Sequence, residues 1–167
     1  MGPAFAAVGA CIAALLEATT ASRYEIFGAQ LQITLVFAVA VTLVYGFESG
    51  MTWAFLGGLC LDLFMLRPLG STIFELLIVV ALTTIAQPLL GRSRYLGCVI
   101  ATVVTVPLFL VISDVATGML QPPAPPLSAT SLIASAIANG LIALVASPLV
   151  IGMKRRAEHR ERVLWWR

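Results

Sequence analysis

The sequence predicts an all-α, polytopic membrane protein: a bundle of six transmembrane helices with its N- and C-termini in the cytoplasm. Three observations predict it. Of the 167 residues 60% are hydrophobic and 11% are charged, against roughly 25% charged in a soluble domain, and the mean hydropathy is +1.00. So few charges cannot cover a water-facing surface, so the solvent must largely be lipid. The apolar residues come in long continuous runs rather than in alternation. A backbone in hydrocarbon must satisfy its own hydrogen bonds, and continuous runs do so as helices, not as a barrel. Finally, six of the ten Lys and Arg residues lie beyond Met153, the asymmetry that holds a tail on the inner side of a membrane.

Six apolar segments, 3–16, 31–47, 51–66, 71–90, 95–113 and 128–153, are separated by charged, Pro or Gly breaks. A spanning helix needs about 20 residues. The last three segments reach that length, while the first three call for tilt or for helical extension into polar flanks. The first segment follows Met1-Gly2-Pro3 without the basic region of a signal peptide, so it reads as a retained helix. Segments two and three are parted only by Glu48-Ser49-Gly50, which reads as a tight helical hairpin. Between segments five and six, Gln121-Pro122-Pro123-Ala124-Pro125-Pro126 reads as an extended spacer, with docking of an external partner as the alternative. Threading back from a cytoplasmic tail places Arg92 and Arg94 inside and leaves only Arg23 and Arg67 outside. The organisation expected is a six-helix transmembrane domain over residues 1–153 and a basic cytoplasmic tail over 154–167. The tail continues helix six and is expected to hold anionic headgroups through its basic start, with Trp165 and Trp166 near the interface. A cytoplasmic protein is the alternative ligand for it.

Small residues recur every fourth position in three segments: Gly2, Ala6, Ala10 and Ala14; Gly50, Ala54 and Gly58, followed by Asp62; and Ser131, Ser135, Asn139, Ala143 and Ser147. Such ridges let helix backbones approach closely, either within the chain or against a partner. Asn139 is the most polar group deep in a span and is expected to bond a neighbouring helix. Pro107 and Pro148 fall inside helices five and six, where a kink is expected. The cysteines, Cys11, Cys60 and Cys98, show no pairing pattern and read as small apolar residues rather than disulfides or ligands.

An ionisable group in a span is a functional candidate. Glu17, Asp62, Glu75 and Asp114 all fall toward the outer face, near Arg23 and Arg67. The structural reading is that they are helix-end residues reaching water with local ion pairs. For Asp62 two structural roles stand open: pairing with Arg67, or capping the first turn of helix four at Gly70-Ser71-Thr72. Contact with a partner helix and ion or substrate handling are the functional alternatives. No catalytic constellation is visible. The single histidine, His159, lies in the tail, there is no phosphate-binding glycine loop followed by Lys, and the acids do not form a close cluster for a metal. The chain is therefore not expected to be an enzyme, nor to bind a cofactor, a metal or nucleic acid.

The stretch 45–77, YGFESGMTWAFLGGLCLDLFMLRPLGSTIFELL, carries Gly46 and Gly50, then Gly57-Gly58, then Asp62-Leu63 and a Leu69-Gly70 turn into the next helix. In this it resembles the rod shape-determining protein MreD family, small polytopic membrane proteins with a glycine-rich hairpin. It departs from the family before helix two, where Gly28-Ala29-Gln30-Leu31 stands in place of a frequent proline. The resemblance implies a non-enzymatic membrane scaffold of the bacterial cell-elongation complex in the cytoplasmic (inner) membrane. Such a scaffold binds an MreC-type bitopic protein and connects the MreB cytoskeleton with a RodA-type glycosyltransferase and a class B penicillin-binding transpeptidase. It makes Gly46, Gly50, Gly57, Gly58, Asp62, Arg67, Gly70 and Glu75 the structural or partner-contact residues. The competing expectation is a substrate-binding subunit of an energy-coupling-factor vitamin transporter. That protein would need an outward pocket, for which Tyr24, Glu25, Phe27 and Gln30 are the available residues.

Overall fold

The computed structural model describes residues 3–21, 29–90, 93–120 and 128–164. Gly2, Arg23, Tyr24, Glu25, Phe27, Arg92, the proline linker and the terminal Trp165, Trp166 and Arg167 lie outside them. The described residues form six helices and no strand: α1 (Pro3–Ala21), α2 (Ile33–Tyr45), α3 (Phe47–Phe64), α4 (Ser71–Ala86), α5 (Arg94–Leu120) and α6 (Ala129–Leu164). Two stretches, Arg94–Val115 and Ala129–Ala157, are long and apolar enough to cross a membrane. Ala6–Thr20, Ile33–Tyr45 and Ser71–Ala86 are apolar but shorter. The basic tail continues α6 without a break to Leu164.

The helix α2 is the hub. Its sequence, ITLVFAVAVTLVY, has no polar face, and its residues from Leu35 to Val44 are buried apart from Phe37. A helix that is apolar all round belongs inside a bundle, and α2 packs against each of the other five. Leu35 and Val39 join Leu76, Val79 and Val80 of α4 and Val106 and Phe109 of α5 in the main core. Val36 meets Ala143 and Ala146 of α6 in a smaller cluster. Several threonines inside the helices satisfy their hydroxyls on their own backbone in this apolar setting. Thr42, Thr83, Thr102 and Thr105 each donate to the carbonyl four residues earlier, at 2.7 to 2.8 Å, the usual back-bond for this residue type.

The turn between α2 and α3 is not where the charge break suggests. Glu48-Ser49-Gly50 forms the first turn of α3, and the connection is the single residue Gly46, with φ 98° and ψ 175°. That backbone region is essentially confined to glycine. Glu48 then stands where free N–H groups favour a negative charge, so the acid starts a helix rather than ending one. Helix α1 also exceeds its apolar segment, running to Ala21 and carrying Glu17 within it.

The three small-residue ridges face inward. Ala6, Ala10 and Ala14 of α1 are buried, as are Ser135, Asn139, Ala143 and Ser147 of α6. A β-carbon added at Gly57 of α3 would stand 3.7 Å from the β-carbon of Ala10, so the α1 ridge packs on α3. The outer faces of the same helices present Val8, Leu15, Ile133, Ile137 and Leu141.

All three cysteines are free thiols, as the sequence reading expects, but two of them meet. Cys11 of α1 and Cys60 of α3 bring their sulfurs to 3.0 Å, because the ridge contact draws the two backbones together. Oxidation of the detergent-solubilised protein with copper phenanthroline is expected to join them in an intramolecular disulfide. A peptide map should show the linked Cys11 and Cys60 fragments, with Cys98, buried elsewhere, remaining alkylatable. Failure to crosslink would place α1 differently on α3.

Candidate functional site

Helix starts leave N–H groups with no partner inside their own helix, and in an apolar bundle those groups need side-chain acceptors. At one end of this molecule two carboxylates provide them. Asp62, near the end of α3, is 1% exposed. Its Oδ2 accepts the N–H of Gly70 at 2.7 Å, and its Oδ1 accepts the N–H of Thr72 at 3.1 Å and the hydroxyl of Ser71 at 3.4 Å. Of the two structural roles open for Asp62, it is therefore the cap of α4. Arg67 is held to the same residue through its main chain, its N–H donating to the Asp62 carbonyl at 3.0 Å, while its side chain is exposed. Gly70, with φ 97°, supplies the left-handed residue that turns the chain into α4.

Glu17 repeats the arrangement from α1. Its Oε2 accepts the N–H of Thr34, in the first turn of α2, at 2.7 Å. The four residues leading into α2 are not helical, and they cross the bundle beside α6, which supplies their partners. The N–H of Gln30 donates to Ser135 Oγ at 2.9 Å and that of Gln32 to Asn139 Oδ1 at 2.7 Å. Asn139 Nδ2 donates in turn to the carbonyls of Gln30 and Ser135, both at 2.8 Å. Buried backbone polar groups outside a helix need partners from elsewhere in the chain. Asn139 thus bonds the lead into α2 rather than another helix's side chains.

Three of the four acids consequently do not reach water as helix-end groups. Glu17, Asp62 and Glu75 are buried, and only Asp114 is exposed. Glu75 hydrogen-bonds Ser113 of α5, while its Oε2 and the hydroxyl of Thr72, one turn earlier, have no partner among the described residues. The charge of Arg67 acts on both Glu17 and Glu75, so the cation and the three buried carboxylates form one polar end. Among the described residues no three His, Cys, Asp or Glu side chains converge as a metal site.

The glycines of the 45–77 stretch explain themselves by contact. A β-carbon at Gly50 would overlap the Thr42 hydroxyl, one at Gly57 would lie 2.7 Å from Thr34 Cγ2, and one at Gly58 would lie 2.7 Å from the Cα of Ile73. Gly50 and Gly57 therefore seat α3 on α2, and Gly58 seats it on α4.

Away from the polar end, α1 and α6 stand on either side of α2 without packing on each other. They leave an apolar cleft of about 200 Å³. Gly9, Ile12 and Leu16 of α1 form one wall, Val150 and Met153 of α6 the other, and Phe37, Val41 and Tyr45 of α2 the floor, with Trp53 of α3 at the margin. Trp53 stacks on Phe37 at 5.8 Å between ring centroids, and a β-carbon at Gly9 would meet its ring at 2.8 Å. The Trp53 indole N–H is buried and has no partner among the described residues. Sequence reasoning missed Trp53. The run itself gave no signal, since the ring's place depends on Gly9 of α1 and Phe37 of α2 packing against it. It also missed Glu17 as a cap, because its acceptor role joins residues 17 apart.

Of the residues available for a vitamin pocket, Gln30 is committed through its main chain to Ser135 and Asn139, and Tyr24, Glu25 and Phe27 lie outside the described residues. No protein-family model matches the chain, and no curated protein or solved structure does either.

Proposed function

We propose that this chain is a six-span protein of the bacterial cytoplasmic membrane, with both ends in the cytoplasm, and that it is a non-enzymatic scaffold of the cell-elongation machinery. In this reading it binds a single-pass MreC-type helix and through it joins MreB to the RodA-type glycosyltransferase and its transpeptidase. The topology is supported by where the helix ends meet. Glu17 late in α1 caps α2, Asp62 late in α3 caps α4, Ser113 late in α5 bonds Glu75, and Ser135 and Asn139 early in α6 hold the lead into α2. All these belong to one end, as alternating spans require. The Lys and Arg excess beyond Met153 supports an inner placement for the opposite end.

The observation that carries the scaffold reading is the cleft between α1 and α6. Its walls and floor are apolar, α1 and α6 do not close it by packing on each other, and it is long enough along both helices to seat an apolar helix. The resemblance over 45–77 adds the partner class. Photo-crosslinking residues placed at Ile12 and Met153, with the MreC-type protein co-expressed, should trap that protein's membrane helix. The same probe at Ile137, on the outer face of α6, should not. Capture of only a second copy of this chain, or equal capture from all three positions, would overturn the proposal.

A further inference from the structure

A second cavity, of about 430 Å³, opens where the end of α2, the start of α5 and the last third of α6 meet. Arg94, Lys154 and Arg155 line it, together with Val44, Ser93 and Ile151, and among the described residues no carboxylate does. Of these cations Lys154 is positioned rather than merely present. Lys154 donates to the carbonyl of Val44 at 2.7 Å, one of the carbonyls that the end of α2 leaves without a helical partner, and its Nζ stands 5.7 Å from the centre of the Tyr45 ring. Tyr95, also in the lining, is fixed by its hydroxyl to the carbonyl of Leu144 at 3.2 Å. Helix α5 begins at Arg94, so its unpaired first-turn N–H groups add positive potential on the same side.

We propose that this cavity binds the phosphate of an anionic phospholipid headgroup, one lipid per chain. A phosphodiester offers a single charge and two acceptor oxygens, which suit paired guanidinium groups. The source is a lipid rather than free phosphate for two reasons. The apolar residues Val44 and Ile151 in the lining match a glycerol backbone and the first acyl carbons. The cavity also lies near the end of the apolar stretch Ala129–Ala157, at the level where headgroups sit. The proposal rests on the membrane reading above and is independent of the scaffold role.

The test is native mass spectrometry of the full chain released from nanodiscs containing phosphatidylglycerol and phosphatidylcholine. One phosphatidylglycerol should be retained per chain in preference to phosphatidylcholine. Combining Arg94→Gln with Arg155→Gln should reduce that retention by about tenfold, as expected for loss of two forked phosphate contacts. Arg156→Gln, an exposed neighbour outside the cavity, should leave it unchanged. Equal retention by the double variant would overturn the site, and an equal loss in Arg156→Gln would reduce it to diffuse attraction. Thermal stabilisation by inorganic phosphate, with no lipid retained, would overturn the lipid assignment. A chain that enters the aqueous phase without detergent would instead defeat the membrane reading, so the two failures are distinguishable.

Discussion

Asp62→Ala is expected to destabilise the protein by about 3 kcal/mol, because the buried Thr72 N–H and the half-buried Gly70 N–H lose a charged acceptor and a buried loss of this kind costs roughly 1–3 kcal/mol. The Gly70 and Thr72 amides sit at the start of α4, and nothing in their surroundings replaces Oδ2 and Oδ1. Water cannot take over readily at a site where Asp62 and Thr72 are each 1% exposed. Asp62→Asn keeps one acceptor oxygen and turns an NH2 group toward the other amide, so it should lose at least half as much. Thermal unfolding in detergent, followed by tryptophan fluorescence, measures both. Unchanged unfolding in Asp62→Ala would remove the capping role, and with it the physical reason for an aspartate ahead of the Leu69-Gly70 turn. Arg67→Gln should do far less to stability, because the exposed side chain of Arg67 is not what holds Asp62.

The second large effect is expected at Gly58. The added β-carbon of Gly58→Val would fall 2.7 Å from the Cα and 2.8 Å from the N of Ile73. Those are backbone atoms of a neighbouring helix, so no side-chain rotation relieves the overlap and α3 must move off α4. Overpacking of this kind costs about 1–3 kcal/mol, and here it also pulls Asp62, one turn further along α3, away from the amides it caps. The combined loss should exceed that of Asp62→Ala. Gly152→Ala is the matched control: nothing lies within 4 Å of its β-carbon, so α6 should gain slightly, by up to about 1 kcal/mol of helix propensity. Equal stability of the Gly58 and Gly152 variants would mean that the α3–α4 contact is looser than described.

Much of this was legible in the sequence, and the reasons are local. The six helices follow from continuous apolar runs, and the α4 cap was readable because Asp62 and its amides lie within ten residues of each other. Ridges at four-residue spacing were legible as packing surfaces, though not as to whether they face the chain or a partner. What could not be read depends on distant residues meeting. The cap from Glu17 to Thr34, the clamp of Asn139 on Gln30 and Gln32, and the meeting of Cys11 with Cys60 each join different helices. The α2–α3 turn misled for a different reason. A charged residue marks a break in hydropathy, but the backbone reverses at Gly46, which can adopt a φ that Glu48 cannot adopt without strain.

The capping bonds also set where this molecule is stiff. Carboxylate-to-amide links from α1 and α3, and the asparagine clamp from α6, gather at a single pole. At the opposite pole α1 meets the floor of α2 through apolar side chains, while α6 is tied to the end of α2 by the Lys154 bond to the Val44 carbonyl. The bundle therefore resembles a clothes peg sprung at one tip. A guest helix wedging between α1 and α6 need break none of those polar links, and the strain of its entry would be absorbed by side chains sliding past one another.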